Sequence, residues 1–253
     1  VKVTFLGTGT SQGIPMIGCK CEVCCSTNVK DNRLRSSIWI CVEDLSIIVD
    51  TGPDFRYQVM RAEVPTVDAV LFTHSHKDHV AGLDDIKAYN YWQQSSIDIY
   101  ATIPTQNQLK SEFAYIFADI KYPGIPELNL KTLNGEPFFI HNVKITPIRV
   151  MHYKMDVFGF RIGDFTYITD ANYISEDELN KIKGTKHLVI NALRHEKHIS
   201  HFTLNEALEI INLIQPENAY LTHISHQLGL HEEINATLPP NVQLAYDGLV
   251  LNL

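Results

Sequence analysis

Thr73-His74-Ser75-His76-Lys77-Asp78-His79 follows the apolar run Ala69-Val70-Leu71-Phe72 and precedes Val80-Ala81-Gly82-Leu83-Asp84-Asp85-Ile86. An apolar run that breaks abruptly into polarity predicts a buried strand ending in a loop, and helical spacing resumes from Val80. The turn between them gathers three imidazoles and a carboxylate in an H-x-H-x-D-H pattern. Those donors suit a borderline divalent cation such as zinc, or manganese and iron. A polar surface loop rarely spaces four ligand types this way by accident.

The loop resembles the metal-binding loop of the metallo-β-lactamase superfamily. The resemblance implies that His74 and His76 hold one metal and that Asp78 and His79 hold a second. It also implies a third histidine, a bridging aspartate and a fourth histidine on later loops. Three strand ends carry such residues in that order: Val150-Met151-His152-Tyr153, Tyr167-Ile168-Thr169-Asp170 and Tyr220-Leu221-Thr222-His223. Any one alone is more simply a hydrogen-bonding residue. Together they complete the implied set: His74, His76 and His152 on one metal, Asp78, His79 and His223 on the other, Asp170 bridging. Asp50 ends a predicted strand where the superfamily keeps an aspartate that braces the histidine loop; read locally, it is equally a turn residue. A water bridging two divalent cations, zinc or manganese, loses a proton near neutral pH, and the cations neutralise charge on a phosphoryl group. The expected chemistry is hydrolysis by a metal-bridging hydroxide.

Of the five cysteines, Cys19, Cys21, Cys24 and Cys25 cluster and Cys41 stands apart. Val1–Leu6 reads as a strand rather than a signal peptide, so the expected setting is cytoplasmic, where close-spaced cysteines favour metal over disulfides. Cys19, Cys21 and Cys24 have C-x-C-x-x-C spacing, one ligand short of a tetrahedral zinc site. His226, in His223-Ile224-Ser225-His226, is the candidate fourth ligand. Cys25 is the alternative to Cys24, and metal-free thiols are the alternative to the site.

Gly18-Cys19-Lys20-Cys21-Glu22-Val23-Cys24, Leu221-Thr222-His223-Ile224-Ser225-His226-Gln227 and Tyr246-Asp247-Gly248 resemble the phosphoribosyl 1,2-cyclic phosphate phosphodiesterase family of the carbon–phosphorus lyase pathway. The resemblance covers almost the full chain, with no shared motif between Gln93 and Val150. It implies a structural zinc beside a dinuclear site, and opening of a five-membered cyclic phosphate on a ribose. It also implies an active-site histidine in Ile199-Ser200-His201-Phe202-Thr203-Leu204. His201 and Asp78 are therefore assigned to catalysis. His201 would protonate the leaving alkoxide or hydrogen-bond a phosphoryl oxygen, and His195 and His198 compete for that role. Arg33 and Arg35 read as brace residues or as phosphate contacts.

The 253 residues, 45% hydrophobic, allow one large domain spanning 1–253 with a sizeable core. Strands are predicted over Val1–Gly7, Ser36–Val42, Leu45–Asp50, Ile97–Ile103, Phe138–Val150, Phe158–Ile162, Phe165–Thr169, His187–Ile190 and Tyr220–Thr222. Helices are predicted over Phe55–Ala62, Gln106–Phe117 and Thr203–Ile214. This alternation is α/β, and the resemblance implies the four-layer αββα sandwich of the metallo-β-lactamase fold. A net charge of −8 without any basic run excludes a long nucleic acid as the expected substrate and leaves a small phosphodiester. No apolar run reaches the roughly 18 residues of a membrane span. No feature sets the oligomeric state, and a homodimer is one assembly the sequence allows. The competing readings are a tRNA 3′-processing endonuclease, whose glycine- and proline-rich arm is not evident here, and a thioester or lactam hydrolase. A third is a non-catalytic carrier like the superfamily member of pyrroloquinoline quinone biosynthesis.

Overall fold

The computed structural model describes residues 1–120 and 122–253, which fall into two compact units. The first comprises Val1–Leu6, Ser37–Asn134 and Val250–Leu253; the second comprises Gly7–Ser36 and Gly135–Leu249.

The first unit is built on one mixed sheet. Its strands are β1 (Lys2–Gly7), β2 (Ser37–Val42), β3 (Leu45–Val49), β4 (Ala69–Leu71), β5 (Ile97–Ala101) and β6 (Leu128–Thr132), ordered as numbered, with the C-terminal strand Val250–Asn252 beside β1. From β3 to β6 neighbouring strands run parallel, and Val49 pairs with Leu71, which pairs with Tyr100. Every residue of β3 and β4 is buried, which is why β4 and the Ile47–Val49 stretch of β3 read as apolar runs rather than as alternating ones. Helices α1 (Phe55–Arg61), α2 (Lys77–Val80), α3 (Lys87–Gln93) and α4 (Ile103–Glu112) follow the strands. Phe55, Val59, Val80 and Leu83 pack with Leu6, Ile48, Val70 and Phe72 in the core. Full burial of each such side chain is worth about 1.5–3 kcal/mol.

Gly82 sets the approach of the α2 turn to the turn after β3. Its N–H donates to Thr51 O at 2.8 Å, and a Cβ there would lie 2.2 Å from Gly52 O. Only glycine permits that spacing. Asp54 precedes α1 without capping it through its side chain. Strand β5 stops short of the predicted Ile103 because Thr102 caps α4 by accepting Thr105 N–H, with Pro104 in the first turn. The helix therefore starts before Gln106 and ends at Glu112. Strand β6 escapes the sequence reading because its exposed side is polar: Asn129 donates to Asp98 at 3.0 Å and Lys131 pairs with Asp98 at 3.7 Å.

The second unit holds the other sheet. Its strands are β7 (Phe138–Ile140), β8 (Val143–His152), β9 (Met155–Ile162), β10 (Phe165–Tyr167), β11 (Tyr173–Ile174), β12 (His187–Asn191), β13 (Asn218–Thr222) and β14 (Val242–Leu244). The order is β11-β8-β9-β10-β12-β13-β14, with β7 also paired to β8. β8, β9 and β10 are antiparallel, with a turn at Gly163-Asp164 between β9 and β10; from β10 to β14 the pairs are parallel. Helices α5 (Glu176–Ile182), α6 (Leu204–Ile214) and α7 (His231–Asn235) complete the unit. α6 buries Leu204, Ala207, Ile211 and Ile214, one face at helical spacing. Thr203 opens it with a capping box: its hydroxyl accepts Glu206 N–H at 3.2 Å, and Glu206 Oε2 accepts Thr203 N–H at 2.9 Å.

Arg33 is buried in this unit as a brace. Its guanidinium donates to Thr8 Oγ1 at 2.8 Å, to Ala245 O at 2.5 Å and to His231 Nδ1 at 3.0 Å. Asp247 of the Tyr-Asp-Gly stretch accepts from Thr8 Oγ1 and from Leu34 N–H, each at 2.8 Å. Arg35 Nε donates to Ser11 O at 3.1 Å.

Candidate metal centre

In the first unit the histidine loop leaves the C-terminal end of β4, beside the end of β3, where Asp50 N–H donates to Leu71 O at 3.0 Å. Asp50 is fully buried and takes a left-handed φ of 63°. Its carboxylate accepts Thr73 N–H at 2.8 Å, Thr73 Oγ1–H at 2.8 Å and His79 Nδ1 at 2.7 Å. Asp50 is thus a brace for the loop rather than a plain turn residue. Burial pushes its pKa up; His79 and Thr73 pull the other way. The Thr73 hydroxyl has one proton, which it gives to Asp50, so it accepts from His74 Nδ1 at 2.9 Å. With both Nδ1 atoms donating, His74 and His79 each present Nε2 as the ligand nitrogen. The His74 ring lies 4.6 Å from that of His76 and 4.2 Å from that of His79. Asp78 Oδ2 lies 3.2 Å from His79 Nε2.

The second unit brings His152, Asp170, His201 and His223 together. His152 ends β8 and its Nδ1 donates to Ser200 O at 2.9 Å, again leaving Nε2 as the ligand atom. Asp170 and His223 follow β10 and β13 with left-handed φ of 55° and 54°. Aspartate and histidine enter that region more readily than branched residues do. His223 Nδ1 lies 3.0 Å from Asp170 Oδ1, which also accepts Thr169 Oγ1–H at 2.7 Å. The His201 ring is 4.6 Å from His152, 4.8 Å from His223 in a stacked pose, and 5.1 Å from His198.

His152, Asp170 and His201 offer ligand atoms within 4.8 Å of one another. His201 could therefore help to hold a cation with His152 and Asp170. Burial, then His223, pushes its pKa down to about 3 against the pull of Asp170, so the imidazole is neutral. His195 is set apart by its bond to Leu228 O at 3.0 Å. Burial lowers the pKa of His198, with Arg194 adding to it.

The structure brings the cysteine cluster and His226 together. Ligand atoms of Cys19, Cys21, Cys24 and His226 lie within 4.8 Å of one another. His226 Nδ1 is 3.2 Å from Cys21 Sγ and 3.5 Å from Cys19 Sγ. Backbone N–H groups point at the sulfurs, Cys24 N at Cys21 Sγ and Met16 N at Cys24 Sγ, each at 3.4 Å. Three thiols and one imidazole in that space fit a tetrahedral zinc. The Cys24 N–H, then His226, draws Cys21 down to about 6, whereas burial pushes Cys24 up to about 11. Cys25 is exposed and outside the group.

Thr73 and Ser200 carry roles that the sequence did not reveal. A threonine beside a histidine has no signature of its own, and Ser200 acts on His152 through its backbone carbonyl, which every residue type possesses.

A family model described as beta-lactamase superfamily domain matches residues 46–224, a span that holds Asp50, the histidine loop, His152, Asp170, His201 and His223. A protein of Porphyromonas gingivalis named octanoyltransferase is 36% identical over 252 residues, 98% of this chain and 51% of that protein. A ribonuclease Z of Prochlorococcus marinus is 24% identical over 174 residues, 65% of this chain and 50% of that protein. The chain thus spans about half the length of these curated relatives. Among solved structures, a diphosphatase from the PhnP family superposes with a TM-score of 0.93 at 36% identity, covering 99% of this chain and 96% of that one. The fold class is the α/β metallo-β-lactamase sandwich expected from the sequence. The chain belongs to the metallo-β-lactamase superfamily and, within it, to the PhnP family.

Proposed function

We propose that the protein is a metal-dependent phosphoric diester hydrolase for small cyclic or diester phosphates, with phosphoribosyl 1,2-cyclic phosphate the first substrate to try. The observation that carries this reading is the common wiring of His74, His79 and His152, whose Nδ1 atoms are engaged by Thr73, Asp50 and Ser200 so that each keeps Nε2 as the nitrogen that could bind a cation. The proposed ligands of one zinc or manganese ion are His74, His76 and His152. Those of a second are Asp78, His79 and His223, with Asp170 shared. Bound there, two cations supply Lewis acidity toward phosphoryl oxygens and a water acidic enough to attack near neutral pH.

The chain's own residues do the rest. Asp50 and Thr73 fix the orientation of the histidine loop, and Ser200 fixes His152. His201 is held neutral by burial, and nearby cations would press it further the same way. It therefore holds a phosphoryl oxygen by hydrogen bond rather than delivering a proton to the leaving group. Cys19, Cys21, Cys24 and His226 are proposed to hold a structural zinc that leaves no open position.

The diphosphatase and ribonuclease Z names among the relatives support phosphate-ester chemistry. The net charge of −8 favours a small substrate over RNA. Octanoyl transfer is the name of a protein about half of which lies outside the match. The free cysteines support a cytoplasmic setting, and no helix among the described residues is long and apolar enough to cross a membrane.

The test is turnover by zinc- and manganese-loaded protein of bis(p-nitrophenyl) phosphate, ribose cyclic phosphates, dinucleoside diphosphates and an octanoyl thioester. Hydrolysis of phosphate esters is expected. Turnover of the thioester alone would overturn the reading, and no turnover of any of the four would favour a carrier.

A further inference from the structure

His198 lies at the outer side of the His152–His201 group without being a proposed metal ligand. Its Nδ1 faces Ser200, accepting the backbone N–H at 3.4 Å and lying 3.3 Å from Oγ. A backbone N–H can only donate, so Nδ1 is the acceptor and the ring proton sits on Nε2. The ring is half-buried, and its centroid is 5.1 Å from that of His201. Among the described residues no hydrogen bond engages Nε2. The ring therefore carries a donor of fixed identity with no protein acceptor.

The segment that bears it is held at both ends. Arg194 donates from Nε to Glu196 O at 3.2 Å and from Nη2 to Lys197 O at 3.3 Å, and its Nη1 reaches Gln227 Oε1 at 2.7 Å. Asn172 donates to Ile199 O at 3.2 Å and accepts Tyr153 N–H at 2.8 Å. Ser200 then serves both imidazoles, Nδ1 of His198 through its N–H and Nδ1 of His152 through its carbonyl. A residue that only filled surface would not need its tautomer and its loop fixed together. Arg194 and Lys197 add positive charge to this edge of a chain whose net charge is −8, which suits an anion.

Building on the hydrolase reading, we propose that His198 is a further substrate-binding residue whose Nε2–H donates to an oxygen of the bound phosphate, beside the contact made by His201. His195 has no such part, because its Nε2 is already engaged by Leu228 O at 3.0 Å. The contact is a hydrogen bond without proton transfer, so another N–H donor of similar reach replaces it.

The experiment is calorimetric titration of zinc-loaded protein with inorganic phosphate, for the wild type, His198→Ala and His198→Gln, with metal content and melting temperature measured alongside. A hydrogen bond to a charged oxygen predicts about 10-fold weaker phosphate binding in His198→Ala, recovered to within a few-fold in His198→Gln, at unchanged metal content. In diester assays the alanine variant should raise KM while kcat changes less. Equal phosphate affinity in wild type and His198→Ala, or no phosphate binding by the wild type, overturns the proposal. So does a loss that His198→Gln fails to recover at full metal content. Failure of diester turnover with the phosphate result intact would retire the hydrolase reading and leave the anion contact standing.

Discussion

Asp50 Oδ2 accepts from both the Thr73 hydroxyl and His79 Nδ1, at 2.8 and 2.7 Å, so one buried carboxylate sets the tautomer of one histidine directly and of His74 through Thr73. Asp50→Asn keeps the shape and replaces one acceptor oxygen with a donor. An NH2 in the place of Oδ2 faces both the Thr73 hydroxyl and His79 Nδ1–H, which then loses its acceptor; in the place of Oδ1 it faces the Thr73 N–H. Partners of this kind are worth about 10–100-fold in metal affinity. Zinc titration against a competing chelator should show a loss of that size. Wild-type affinity in the variant would mean that the loop holds its own geometry without Asp50.

Cys21→Ser should act on stability more than on chemistry. A closed site of three thiols and an imidazole contributes its metal-binding free energy to folding. The variant should lose about one zinc per chain and several degrees of melting temperature, with kcat on a reactive diester changed by less than about 3-fold. Unchanged zinc content and melting temperature would count against a metal at Cys19, Cys21, Cys24 and His226.

His231 predicts a pH effect on stability. Arg33 donates to His231 Nδ1 at 3.0 Å, so a proton there would put two cations in contact. Burial, then Arg33, pushes the imidazole from 6.5 to about 4, with Lys30 adding and Glu232 and Asp31 opposing. Between those values the unfolded chain binds the proton and the folded chain does not. The stabilisation is therefore complete above pH 6.5 and is lost as pH falls toward 4. His231→Gln keeps an acceptor for Arg33 and removes the titration. Urea midpoints should fall less steeply in the variant between pH 6.5 and 4.5, by on the order of 2 kcal/mol at the low end. Parallel profiles would assign the acid sensitivity elsewhere.

What was legible in the sequence follows a physical pattern. His74, His76, Asp78 and His79 announce themselves because they share one turn after the buried strand β4. His152, Asp170 and His223 are legible because each ends or follows a strand, where the sheet stops and side chains are free to converge. Arg33 was ambiguous, since a guanidinium that binds phosphate and one that bridges Thr8, Ala245 and His231 look alike before folding. Strand β6 was hidden by Asn129 and Lys131, polar residues that an edge strand tolerates and a central strand would not. The early start of α4 was hidden because Thr102 reads as strand until its bond to Thr105 N–H is seen.

The final prediction separates two roles for His201. A proton donor matters most when the leaving oxygen is a poor leaving group, by about 10²–10⁴-fold. A ribose alkoxide needs that proton and a nitrophenolate does not. A neutral imidazole that hydrogen-bonds a phosphoryl oxygen helps both substrates alike. Burial holds His201 at about 3, on the neutral side throughout the working range. His201→Ala should therefore slow alkyl and nitrophenyl diesters by similar factors, about 10-fold each, while both metals remain bound. His223→Ala should also damage both substrates, but with loss of metal, because His223 meets Asp170 at 3.0 Å in the proposed ligand set. Rates on both diesters, with metal content measured in the same samples, distinguish these cases. A loss confined to the alkyl diester would show that His201 is protonated in the substrate complex and acts as the acid after all.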